Sequence, residues 1–126
     1  MKKEIIRSGS RSKPWPRAVK AGEHIYLASA AMGDNGKTVS ADFEEQLDYV
    51  LNEMKETLES LGSSMDSLVQ VTIFLVNLER DEPKIAPVWL KYIKSMPMTA
   101  SIGTNQLLPL DPPLLVEITA TAIVPD

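Results

Sequence analysis

Apolar residues recur at three- and four-residue steps through Phe43, Leu47, Val50, Leu51, Met54, Leu58 and Leu61, the spacing that lines one face of a helix. Between them, Glu44, Glu45, Asp48, Glu53, Lys55, Glu56 and Glu59 predict an acidic, solvated back. Asp42 followed by Glu45 has the form of a capping box, and Gly62 stands where a helix C-terminus favours a left-handed residue. The period then changes. Residues 68–76 (LVQVTIFLV) are β-branched and aromatic, with Gln70 and Thr72 on the alternate side, which predicts a strand with one buried face. A helix returning into a strand this soon is an αβ unit of a layered domain.

Shorter signals flank this unit. Residues 4–8 form a possible short strand, and 9–16 (GSRSKPWP) read as irregular because prolines fix φ and remove donors. Residues 18–21 and 24–31, joined at Gly22 and Glu23, predict a tight hairpin, and 33–36 (GDNG) another turn. Acids before Pro83, then Ile85, Val88, Trp89, Tyr92 and Ile93 at helical spacing, predict a second helix with an irregular start near Pro87. A strand over 98–104, a proline-rich loop over 106–113 and a last strand over 114–124 complete a single α+β domain, residues 1–126, with two helices on one face of a sheet.

Composition narrows the function classes. Hydrophobic content of 44% with 24% charge is ordinary for a globular protein, and no apolar run approaches the roughly 18–20 residues of a membrane span. The start lacks an apolar signal region and there is no cysteine, so disulfides, thiolate metal sites and a cysteine nucleophile are excluded and a cytoplasmic location is expected. Net charge is −4, yet Lys2, Lys3, Arg7, Arg11, Lys13, Arg17 and Lys20 crowd the first 20 positions. Such a cluster reads first as solvated edge residues and only second as a nucleic-acid contact, since no aromatic interleaving accompanies it.

Alternation in the last strand places Val116, Ile118, Ala120 and Ala122 toward the helices and Glu117, Thr119 and Thr121 away from them. The 98–104 strand splits into Met98, Ala100 and Ile102 against Thr99, Ser101 and Gly103, and the polar set is expected to share the Glu117 face. Phe74 and Val76 fall on that face too, so it suits a partner subunit and a small-molecule cleft. Glu117 is either a catalytic carboxylate or one hydrogen-bonded at a subunit contact. His24 stands alone and reads as structural or exposed; Asp42, Glu44, Glu45 and Asp48 line a helix back rather than a metal-binding loop.

These residues in this order resemble the reactive-intermediate deaminase (Rid, or YjgF) family, over about residues 14–123. The matching pieces are 14–19 (PWPRAV), the hairpin strand with its 33–36 turn, 40–46 (SADFEEQ), Leu51 with Asn52, Gly62, 71–75 (VTIFL), Pro97 and 116–118 (VEI). The resemblance implies a chorismate-mutase-like fold (Bacillus type), a homotrimer with a central β-barrel, and small-molecule clefts between subunits. It also implies hydrolysis of enamines and imines such as 2-aminoacrylate to 2-keto acids and ammonia, without metal or organic cofactor. In the family an arginine grips the substrate carboxylate, while a glutamate on the last strand, here Glu117, places the imine and the attacking water.

The chain departs from that pattern at the grip. Thr99 stands two residues after Pro97 where the arginine is expected, Trp15 replaces a tyrosine, Ala86 an asparagine, and 28–30 (ASA) the Ser-Gly-Gln of the hairpin strand. A neutral hydroxyl does not replace a two-pronged cation. The expectation is therefore Glu117 as the catalytic residue, with Trp15, Arg17, Ser29, Thr99 and Ser101 binding a substrate other than the standard 2-imino acid. Arg17 is then either a substitute carboxylate partner or a surface arginine. The alternative is a non-catalytic binding or interaction trimer. Members have also been labelled endoribonucleases, but the acidic net charge makes a nucleic-acid role the weakest reading.

Overall fold

The computed structural model describes residues 5–8 and 15–126. Four of the clustered cations, Lys2, Lys3, Arg11 and Lys13, and most of the segment expected to be irregular, lie outside the described residues.

Six strands form one sheet in the order β1-β2-β3-β6-β4-β5. These are β1 (Ile5–Ser8), β2 (Ala18–Ala21), β3 (His24–Ala30), β4 (Leu68–Leu75), β5 (Met98–Gly103) and β6 (Val116–Ile123). All neighbours are antiparallel except β4 and β5, which run parallel because a helical crossover joins them. The β2–β3 hairpin closes on Ala21 opposite His24, with Gly22 at φ 64°, a backbone conformation a side chain would resist.

Helix α1 (Phe43–Ser60) is fixed at both ends by its own sequence. The Asp42 carboxylate accepts from the Glu45 N–H at 3.0 Å, while the Ser40 hydroxyl, not Glu45, accepts from the Asp42 N–H, so only half of the capping box forms. At the other end Gly62, at φ 83°, lets its N–H reach the Glu59 carbonyl and the Ser63 N–H reach that of Leu58. Lys20 of β2 donates to the Leu61 carbonyl, so one of the clustered cations serves the negative end of α1.

The apolar stripe of α1 packs on β3 and β6 and joins Ile25, Leu27, Val71, Ile73, Leu75 and Ile118 in one buried core. Truncating a central member such as Leu47, which has no exposed surface, to alanine removes about 2–5 kcal/mol. The expected second helix is broken instead into α2 (Leu78–Asp81), a 3-10 turn (Glu82–Lys84) and α3 (Ile85–Trp89). Pro83 and Pro87 each lack the N–H that a continuous helix needs. What holds the segment is burial of Ile85, Val88 and Trp89 and the pairing of Asp81 with Arg80 and Lys84.

Candidate functional site

Register decides which side chains share a face. Glu117 pairs with Ala30 on one side and Phe74 on the other, and Phe74 pairs with Ile102. Thr119 lies in the next row with Ala28, Thr72 and Ala100, and Thr121 in the row of Tyr26, Gln70 and Met98. This face points away from the helices, as its alternation predicts. Its outer parts are apolar and open: Tyr26 is 50% exposed, Met98 71% and Ile102 45%.

Strand β5 has the opposite phase from the one expected. Thr99, Ser101 and Gly103 pair with Val71, Ile73 and Leu75, which are buried under the helices, so the polar set lies on the helix side and Met98, Ala100 and Ile102 join Glu117. The cause is positional. β5 is an edge strand whose residues are exposed throughout, so burial does not draw its apolar residues to the helix side.

On the helix side, Thr99 and Ser101 open into a cavity of about 300 Å³ between β5 and the α2–α3 crossover. Ile73 and Ile85 form its apolar walls, and Ala86 and Met96 its rim. Thr99 and Ala86, which stand where the family resemblance expects arginine and asparagine, are thus brought together. The Thr99 hydroxyl donates to the Pro97 carbonyl at 2.8 Å, leaving its lone pairs to accept.

Arg17 and Ser29 belong to a different place. The Ser29 hydroxyl, 2% exposed, donates to Glu53 Oε1 at 2.6 Å, and Arg17 Nη2 lies 3.4 Å from Glu53 Oε2 and 3.3 Å from Asp34 Oδ1. A cleft of about 210 Å³ beside them is lined also by Tyr49, Asn52 and Glu56. Burial, and after it the Glu53 carboxylate, push the Tyr49 phenol above its ordinary value, while Arg17 pulls it back. Glu53 corrects the expectation of a wholly solvated helix back: it is 93% covered. The signal was present, because Glu53 sits three residues after buried Val50 and four before buried Thr57.

Trp15 is 68% exposed and lines neither cavity, and His24 is exposed and stacks on Tyr26 at 6.4 Å. Asp48 accepts a 2.7 Å hydrogen bond from Tyr92, whose phenol burial and Asp48 push up to about 12. Among the described residues no group of three or more histidine or acidic side chains converges to hold a metal ion, and no helix is long and apolar enough to cross a membrane.

Comparison with known proteins adds to this geometry. A family model described as Endoribonuclease L-PSP matches residues 7–124. A RutC family protein of Pyrococcus abyssi is 32% identical over 97% of this chain and 98% of its own. The chloroplastic Reactive Intermediate Deaminase A of Arabidopsis thaliana is 30% identical over 96% of this chain and 67% of its own. Among solved structures, the Rid-family protein YyfA of Yersinia pestis superposes with a TM-score of 0.83 at 24% identity, covering 98% of this chain and all of that one. RidA from an Antarctic Psychrobacter gives 0.79 at 19% identity, over 93% and 97% of the two chains. At those identities the structural likeness speaks for the fold alone.

Proposed function

The chain belongs to the Endoribonuclease L-PSP family, which includes the Rid proteins, and on that premise we propose that it is a cofactor-free deaminase of small imines or enamines. Its clefts would lie between the subunits of a chorismate-mutase-like homotrimer with a central β-barrel, in the cytoplasm. One observation carries the reading. A carboxylate, Glu117, stands mid-sheet between Ala30 and Phe74, on a face whose exposed Tyr26, Met98 and Ile102 need a second subunit to cover them. A carboxylate enclosed in that way is suited to take a proton from water as it adds to an imine carbon and to return it to the leaving nitrogen. The outer edge of β5 offers unpaired backbone groups to orient the substrate.

The standard 2-imino acid is a poor fit. Thr99 supplies no cation, and Arg17 is already engaged by Asp34 and Glu53, so the substitute-clamp expectation loses support. The test is hydrolysis of 2-iminobutyrate and of imines without a carboxylate by the purified protein and its Glu117→Gln variant. The variant should lose about 10²–10⁴-fold in turnover while light scattering still reports a trimer. Unchanged turnover would remove Glu117 from the chemistry.

The same lack of a clamp favours a second reading, a non-catalytic ligand-binding trimer. It predicts a ligand-dependent rise in Tm with no product. An endoribonuclease role has the family description behind it, but the lone histidine is an exposed residue stacked on Tyr26.

A further inference from the structure

The Thr99–Ser101 cavity is lined by a carboxylate as well as by hydroxyls. Glu82 and Pro83, from the 3-10 turn between α2 and α3, complete its lining, and Glu82 is the only ionic side chain among the described residues there. The two cations beside it in sequence are committed elsewhere. Arg80 meets the fully buried Asp81 through two hydrogen bonds of 2.8 Å, and Lys84 reaches the same carboxylate at 3.4 Å. Glu82 makes no ion pair among the described residues. The cavity is thus apolar in body, carries hydroxyls at Thr99 and Ser101, and is lined by one carboxylate, Glu82, that makes no ion pair among the described residues. A concave, partly apolar wall concentrates the field of such a charge instead of letting water disperse it.

We propose that this cavity selects small ligands that have no carboxylate and carry or can acquire a positive charge, and that Glu82 is the residue that reads that charge. The proposal rests on the deaminase reading for its chemistry. This chain's own Glu117 lies on the opposite face of the sheet, so the catalytic carboxylate is brought to the cavity by a second copy of the chain. The substrate class is the iminium of a primary amine rather than of an amino acid. A branched alkyl body of four or five carbons matches walls made of Ile73 and Ile85 with Met96 at the rim. Thr99 and Ser101 can accept hydrogen bonds from the iminium N–H groups, since a hydroxyl oxygen keeps lone pairs even when its proton is donated, as that of Thr99 is to Pro97. A carboxylate in the same place would meet Glu82 and find no donor with charge, which costs it affinity twice over.

The reaction balances without a co-reactant. Water oxygen bonds to the iminium carbon, the C=N π pair moves to nitrogen, and the resulting amino alcohol expels ammonia as the hydroxyl proton leaves. The iminium and one water give an aldehyde or ketone and ammonium. The reaction class that must supply such a substrate is two-electron oxidation of a primary amine.

Three probes of one carbon skeleton test the proposal by ligand-observed NMR titration of the intact protein: isobutylamine as its ammonium, isobutyramide and isobutyrate. The ammonium and the amide should bind at least about tenfold more tightly than isobutyrate, the scale of one hydrogen bond to a charged group. Glu82→Gln, a change at an exposed turn, should erase the advantage of ammonium over amide, and Thr99→Arg should raise isobutyrate binding. Isobutyrate binding as well as the others, no binding by any of the three, or an ammonium preference untouched by Glu82→Gln would each overturn it. In a separate arm, an amine oxidase generates the isobutylamine-derived iminium in place and ammonia release is followed. If the binding order is as expected but release is not accelerated, the deaminase reading falls and the ligand class stands.

Discussion

Two polar regions flank the same sheet layer and are built in opposite ways. The Arg17–Glu53–Ser29 cluster holds its charges inside, paired with one another across segments far apart in sequence. The Thr99–Ser101 cavity holds no internal pair; among the described residues that line it, the one charge is the exposed Glu82. A paired interior charge is consumed by the fold, whereas an unpaired charge beside a cavity remains available to a ligand. The comparison teaches that an arginine near a candidate site is not a ligand group until its partners have been accounted for. Arg17 fits the carboxylate-clamp role by residue type, but its Nη2 is already shared between Asp34 and Glu53.

The largest expected effect breaks the paired side. Glu53→Ala strands the partly buried Arg17 and the buried Ser29 hydroxyl, and should cost about 2–4 kcal/mol in urea denaturation. Replacing both charged partners together, Arg17→Met with Glu53→Met, should cost less than Glu53→Ala alone, because no orphaned charge is left. Equal or larger loss in the double variant would show that the cluster works through shape and not through charge.

A smaller effect separates α1 from the crossover. Tyr92→Phe removes the hydrogen bond to Asp48 and should cost about 1 kcal/mol. Because the folded phenol titrates near 12, above the ordinary value of about 10, the stability tied to it is fully present below about pH 10 and drains as pH rises through about 12. Ultraviolet absorbance should therefore show a tyrosine ionising near pH 12, and Tyr92→Phe should abolish that step while the raised ionisation of Tyr49 remains.

On the cavity side, acid is the probe. Burial pushes the Asp81 carboxyl up, but the hydrogen bonds and charge of Arg80, aided by Lys84, outweigh it and leave the group below its usual value. Its contribution is then complete above about pH 4 and is lost as pH falls through the depressed value. Urea midpoints between pH 2 and 5 should fall more gently for Asp81→Asn than for the parent. The smallest effect is at the cavity itself. Thr99→Ala and Ser101→Ala should leave stability within about 0.5 kcal/mol, since both residues are exposed, while altering ligand binding. A large loss of stability there would mean that the cavity is structural.

Sequence by itself determined the parts whose signals are local. The caps of α1 at Asp42 and Gly62, its apolar stripe, the Gly22 hairpin and the alternation that sends Glu117 away from Ile118 all follow from neighbours within four residues, where backbone geometry sets the outcome. The family too was legible, because many weak motifs in fixed order are jointly specific. Tertiary structure alone decided the phase of β5. Alternation says that Thr99 and Ser101 share a face, but only pairing with β4 says which face the helices cover, and an edge strand exposed along its length has no burial to enforce the usual answer. It also decided the fate of charge. Arg17, Ser29, Asp34 and Glu53 are strangers in sequence, and only the packing of the β2–β3 hairpin against α1 makes them one cluster and leaves Glu82 as the charge beside the cavity.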